Sequence, residues 1–292
     1  MKYSLTPTSL LSQVENSYQG QLTVLDISLD KNRMALEEQL AAGSHILYID
    51  HHFAGKIPAH ARLTTHIDPT PETCTSLIVD QLLGGRFRAW AVAAAFGDNL
   101  HDAARTAAAT LDLSQEQISQ LRELGELLNY NGYGATLTDL HFHPASLYQA
   151  LQPYQSPFAF LESAVELHTL RQGYREDMDL AHQQEETILP GIGRIYHFPD
   201  APWARRVAGV YSNLKAREEK NLAHALLTAN PDQTLRISVR APLNRREHAD
   251  TLCRAFPTGG GRMAAAGINS LPPELLDDFL TAFQRIFAPS ET

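Results

Sequence analysis

Between Gln21 and His52 the sequence runs strand, helix, strand, and both strands stop at acids or imidazoles. QLTVLDISLD reads as a buried strand with Asp26 at the end of its apolar run, and KNRMALEEQLAAG as a helix with Leu and Met on one face and a terminal Gly43. HILYIDHH is the next strand, and its apolar run ends abruptly at Asp50, His51 and His52. Parallel strands joined by a crossover helix put their carboxyl ends on one edge of the sheet, where open α/β folds keep their ligands. Adjacent strands lie about 4.8 Å apart, which brings Asp26 and His51 within reach of a shared ion. The fold class predicted is α/β, a parallel-sheet domain followed by a smaller C-terminal α/β domain.

After the loop THIDPTPETCT, TSLIVDQLLG reads as a helix and the Ala-dominated WAVAAAFGDNL as a buried helix that ends at Asp98. Residues 101 to 188 are mostly helical in pattern, broken by NYNGYGATLTDLHFHP, a stretch crowded with turn formers. GYREDMDLAHQQEETILPG reads as a charged helix closed by Pro190 and Gly191. The domains predicted are 1–172, a helical linker over 173–190, and 191–292. In the last of these RIYHFPD, RRVAGVYSNL and LRISVRAPL read as strands or strand-helix pieces, HADTLCRAF as a helix, PTGGGRMAAAG as a loop and ELLDDFLTAFQRIF as an amphipathic helix.

Composition narrows the function. No apolar run approaches the roughly 20 residues that span a bilayer, and MKYSLTPTSLLS is too polar for a secretory signal, so a cytoplasmic protein without membrane contact is expected. Cys74 and Cys253 form no CxxC pair and read as buried hydrophobes rather than as a zinc site or disulfide. The net charge of -9 is uneven: residues 1–189 carry 11 Lys and Arg against 23 Asp and Glu, residues 190–292 carry 13 against 10, and most of those 13 are Arg. Long duplex DNA is a poor partner for such a chain. An acidic half that binds metal and an Arg-rich half that binds anions would suit a phosphate-containing substrate, with ordinary scatter of surface charge as the alternative.

Asp26, the triplet Asp50-His51-His52, and Asp98 each directly follow a hydrophobic element. Mixed carboxylate and imidazole ligands suit manganese or a similar divalent ion, and two such ions about 3.5–4 Å apart can activate water and clamp a phosphoryl group. Taken singly, each Asp is equally a cap or turn former. Gly259-Gly260-Gly261-Arg262, followed by MAAAG, offers backbone N–H groups and one cation to an anion, or else a tight turn. Arg236, Ser238 and Arg240 alternate, so they share one polar face of a strand whose other face carries Ile237 and Val239. Asp139, His141 and His143 match no metal spacing and read as a structural loop.

In these motifs the chain resembles the DHH phosphoesterase superfamily, named for the triplet found here at Asp50-His51-His52. VLDIS is similar to the family's second acidic motif, IDHH to its third and GDN to its fourth, while GGGRMAAAG resembles the glycine-rich signature of the DHH-associated domain. The resemblance implies a parallel-sheet domain, a linker and a substrate-binding domain with the active site in the cleft between them. It also implies hydrolysis of phosphoric esters or anhydrides with two manganese ions. In the family the substrates range from single-stranded DNA and very short RNA to adenosine bisphosphate and cyclic dinucleotides. By resemblance Asp26 bridges the two metals, His51 and Asp98 complete the second ion, His52 touches the scissile phosphate and Asp50 orients the His pair. Arg240, Gly260, Gly261 and Arg262 hold the distal part of the substrate. The implied partner is a short single-stranded nucleic acid or nucleotide-like phosphate, and a homodimer is compatible with it.

The sequence departs from the pattern twice. Arg262 stands where the family usually has His. The family's first strand, which ends in Asp-x-Asp and supplies the first metal's ligands, has no counterpart: MKYSLTPTSLLSQVENSYQG contains no His and no Asp. Three of six metal ligands remain, so one ion or none is expected, and the neighbours of the missing strand should expose backbone donors and apolar surface. A shortened form of a longer phosphoesterase is the expectation, with the activity of this chain alone left open. The alternative is a non-catalytic nucleotide-binding or interaction protein.

Overall fold

A computed structural model of the chain describes residues 10–15 and 19–289. It divides into two compact units, one of Met1–Asn131, Ala135–Leu137 and Phe142–Leu170, the other of Gly132–Gly134, Thr138–His141 and Arg171–Thr292. Among the described residues no helix is long and apolar enough to cross a membrane.

The first unit opens with β1 (Gln21–Leu25), α1 (Arg33–Ala42), β2 (His45–Asp50) and β3 (Leu63–Ile67), which form a parallel three-stranded sheet in that order. The third strand takes up 65–67, the first three residues of the segment expected to be loop; LTTHI has one Leu and one Ile, too weak an alternation to announce a strand. Val24, Ile46 and Tyr48 pack with Leu29, Leu36 and Leu40 into a core on one face of the sheet. At the other side of β1 the ladder stops. The Gly20 carbonyl accepts from the His45 N–H (2.9 Å) and the Asp26 N–H donates to the Ile49 carbonyl (3.1 Å). Alternation along a strand therefore turns the backbone groups of Gln21, Thr23 and Leu25 away from β2, where no described strand meets them. Leu25 is 46% exposed. Of the stretch searched for the first acidic motif, Leu11–Gln13 is one 3-10 turn, and residues 1–9 and 16–18 lie outside the described residues.

The helices that follow are α2 (Thr75–Leu82), α3 (Arg88–Gly97), α4 (His101–Ala108), α5 (Gln115–Tyr130), α6 (Pro144–Leu151) and α7 (Pro157–Ser163), and α8 (Val165–His182) passes from the first unit into the second. The alanines of α3 are explained by α5. A Cβ on Gly125 would lie 1.9 Å from the Ala93 carbonyl oxygen, so the two helices meet backbone to backbone and larger residues have no room. A capping box starts α5: Ser114 Oγ accepts from the Gln117 N–H and Gln117 Oε1 accepts from the Ser114 N–H.

The second unit contains β4 (Glu186–Leu189), β5 (Gly193–Phe198), α9 (Pro202–Glu218), β6 (Ala223–Ala229), β7 (Leu235–Arg240), α10 (Ala249–Arg254), β8 (Gly259–Arg262), β9 (Ala265–Leu271) and α11 (Leu276–Phe287). Its six strands run β4-β5-β6-β7-β9-β8, parallel only between β5 and β6. Ile195, Leu227, Ile237 and Val239 pack with Phe279, Phe283 and Phe287 in its core.

Three sequence expectations change here, and one strand has no expectation at all. The charged helix ends at His182, and Pro190 and Gly191 turn a β4–β5 hairpin rather than stop a helix. RRVAGVYSNL lies wholly within α9, begun by Pro202 at its first position. The strand β6 shows no alternation because it is buried on both faces. Finally, GGGR and AAG are strands of a hairpin, not a loop. Gly261 sits at φ +137° with a Cβ position only 2.4 Å from Ala266 Cα, so backbone conformation and space both demand glycine.

The loop carrying Asp139 and His141 is held by charge. Arg205 donates to both Asp139 oxygens (2.9 and 2.8 Å) and to Asp200, while Arg206 donates to both Asp177 oxygens (2.7 and 2.9 Å) and to the Asp139 carbonyl (2.5 Å). His143 Nδ1 accepts from the Ala145 N–H at the start of α6.

His224 on β6 is buried, with its ring stacked on Tyr196 at 6.1 Å and Nε2 3.4 Å from the Glu219 carbonyl. Burial pulls its pKa below the ordinary 6.5, so the unfolded chain takes up this proton more readily than the folded one. The stabilisation is complete above about pH 6.5 and is lost as pH falls. The midpoint of urea unfolding should therefore drop between pH 7 and pH 5, and drop less in His224→Gln. Equal drops would assign the pH dependence to other groups.

Candidate metal centre

Asp26 immediately follows β1 and His51 immediately follows β2, and the register pairing Leu25 with Ile49 sets them on the same rim. His51 Nε2 lies 3.4 Å from Asp26 Oδ1. Asp26, His51 and His52 together offer ligand atoms that all lie within 4.8 Å of one another. Asp26 itself adopts φ +59°, a left-handed conformation uncommon outside glycine.

Hydrogen bonds settle which ring nitrogens are free in the neutral imidazoles. His51 Nδ1 is 3.0 Å from the Thr73 carbonyl, which can only accept, so Nδ1 carries the proton and Nε2 keeps its lone pair. His52 Nδ1 likewise faces Asp50 Oδ1 at 2.7 Å, leaving its Nε2 available. Asp50 is fully buried; its Oδ1 also accepts from the His51 backbone N–H (2.8 Å), and its Oδ2 has no hydrogen-bond partner among the described residues. Asp26 Oδ1 faces His51 Nε2 at 3.4 Å, a gap that either a proton on the ring or a cation between the two would satisfy, and one carboxylate with two imidazoles fits a divalent transition metal. Such coordinating histidines commonly have their other nitrogen bound to a carboxylate or carbonyl, as both do here.

Asp98 stands apart from this group. It follows α3 and lines a largely apolar cavity of about 480 Å³ whose wall also includes Asp26, Leu25, Thr75, Trp90 and Leu128. Cys74 lies on the same wall; burial, reinforced by Asp98 and Asp26, raises its thiol pKa, so it remains a protonated small hydrophobe. Cys253 is buried as well. Two contacts had no sequence signal: the Thr73 carbonyl on His51 and the Thr75 hydroxyl, which donates to Asp26 Oδ1 at 2.8 Å.

In the second unit Arg240 of β7 and Arg262 of β8 both pair with Ala265 of β9, and Ser238 and Gly260 both pair with Gly267. Directly opposed residues share a face, so Ser238, Arg240, Gly260 and Arg262 lie on the same side of the sheet, the two arginines about 10 Å apart across it. Gly261 alternates to the other side. Arg240 Nε donates to Asn213 Oδ1 (2.7 Å) and Nη1 to the Val239 carbonyl (3.1 Å), and burial lowers its pKa. The space where a Gly260 side chain would stand is open.

No family model matches the sequence, and no curated protein matches it. Solved structures do. A pGpG-specific phosphodiesterase, PggH from Vibrio cholerae, is 11% identical over 91% of this chain and 97% of its own, with a TM-score of 0.52. The exonuclease RecJ bound to manganese is 18% identical over 92% of this chain and 75% of its own, with a TM-score of 0.50. The chain has the α/β fold of these two proteins.

Proposed function

We propose that the chain is a divalent-metal phosphoesterase of the DHH type, with manganese as its ion and short nucleotides or nucleotide-like phosphates as substrates. The observation that carries this reading is the convergence of Asp26, His51 and His52 within 4.8 Å at the carboxyl rim of a parallel sheet. The fold shared with a manganese-bound exonuclease and a dinucleotide phosphodiesterase supports the substrate class. When bound, the ion supplies Lewis acidity and lowers the pKa of a coordinated water. Asp26 and His51 bind it, His52 presents Nε2 to the phosphate, and Asp50 orients the His52 ring while holding the His51 backbone N–H. Asp98 is proposed as a further ligand from the neighbouring wall. Arg240, with only neutral oxygens among its hydrogen-bond partners, is proposed with Gly260, Gly261 and Arg262 to receive phosphate.

The test is titration calorimetry with Mn²⁺ followed by incubation with the linear dinucleotide pGpG. Saturable Mn²⁺ binding and mononucleotide release that EDTA abolishes are expected. A second reading, a nucleotide-binding protein without turnover, is favoured by one observation: among the described residues three donors gather where a two-ion site draws on more. Binding of pGpG with no mononucleotide released in Mn²⁺ would establish that reading instead.

A further inference from the structure

The segment Thr73–Thr75 reaches both ends of the candidate metal pair. Thr73 accepts from His51 Nδ1 through its carbonyl, and Thr75, two residues later at the first position of α2, donates its hydroxyl proton to Asp26 Oδ1 across 49 residues of sequence. The two ligands come from different strands and their ring and carboxylate share no covalent neighbour. What fixes their separation at 3.4 Å is the sheet register on one side and this segment on the other.

Thr75 is 6% exposed, so its hydroxyl has little competition from water. Asp26 is the opposite case, with a side chain 61% exposed and free to rotate unless something holds it. A carboxylate oxygen can only accept, so the Thr75 proton necessarily points at Oδ1, the atom that faces His51. Cys74, buried between the two threonines, anchors the segment.

We propose that Thr75 is a positioning residue for the metal centre: its hydroxyl locks the Asp26 carboxylate toward His51 and thereby sets the affinity for the ion. The inference rests on the metal-site reading above. It does not require Thr75 to touch the ion or the substrate. Loss of an outer-shell hydrogen bond of this kind costs about 10–100-fold in metal affinity.

The experiment compares Mn²⁺ dissociation constants, read from the free-Mn²⁺ electron paramagnetic resonance signal, in the wild-type protein, Thr75→Val and Thr75→Ser, each checked by thermal melting. Val has nearly the shape of Thr and no hydroxyl; Ser keeps the hydroxyl and loses the methyl. Thr75→Val should weaken Mn²⁺ binding by about 10–100-fold while Thr75→Ser stays within roughly 3-fold of wild type. If Thr75→Val gives no cooperative melt, Thr75→Ala carries the same comparison. Wild-type binding with an unchanged constant in the hydroxyl-free variant overturns the positioning role alone. Failure of the wild-type protein to bind Mn²⁺ overturns the metal-site reading and this inference with it.

Discussion

His51→Ala should lower Mn²⁺-dependent turnover of a dinucleotide by orders of magnitude and leave the melting temperature close to that of the wild type. On the proposed reading the ring supplies a metal-facing nitrogen, and its loss leaves the ion to Asp26 and to Asp98 on the neighbouring wall. Its structural contributions are small by comparison: one hydrogen bond to the Thr73 carbonyl and an edge contact with His52 at 4.6 Å, both at a rim that water can reach. The loss should show in kcat/KM together with a weakened Mn²⁺ constant, because the interaction removed is with the ion rather than with the rest of the substrate. Near-normal turnover in this variant would remove the metal centre from the rim.

Asp139→Ala is expected to be strongly destabilising, costing about 3–5 kcal/mol in urea unfolding. Asp139 and Arg205 are both largely buried, their side chains 4% and 15% exposed, and the pair is bidentate. Removing the carboxylate strands a guanidinium that keeps only Asp200, itself more exposed. The magnitude comes from that stranded charge, not from the intrinsic worth of the bond. Asp139→Leu combined with Arg205→Leu should therefore recover much of the loss, and a double variant as unstable as the single one would place the effect in the fold of the loop instead.

The unit β1-α1-β2 was legible because each strand is a compact apolar run and the helix between them ends in glycine, at φ +109°. Asp26, His51 and His52 could be found for the same reason, since a polar residue directly after a buried strand has only the rim to occupy. Asp98 could be singled out but not placed: it follows a helix, and helix packing is not written in local spacing. Thr75 was invisible because a threonine at a helix start reads as local capping, while its partner lies 49 residues away. β6 hides because AHALLTA is buried on both faces and carries no alternation, and β8 hides because three glycines look like a turn until the close approach of Ala266 shows why they are needed.

The backbone of Asp26 carries a further consequence. A left-handed residue other than glycine costs on the order of 1 kcal/mol, less for Asp and Asn, whose short polar side chains tolerate it. Selection acting on stability alone would drift toward glycine at this position and erase the site. Selection that relaxes only the chemistry has an easier path, because asparagine accepts the same backbone, keeps an oxygen for Thr75 and is one base change from aspartate. In a lineage of such chains, the residue found at position 26 would separate those still kept for binding an ion from those kept only for their shape.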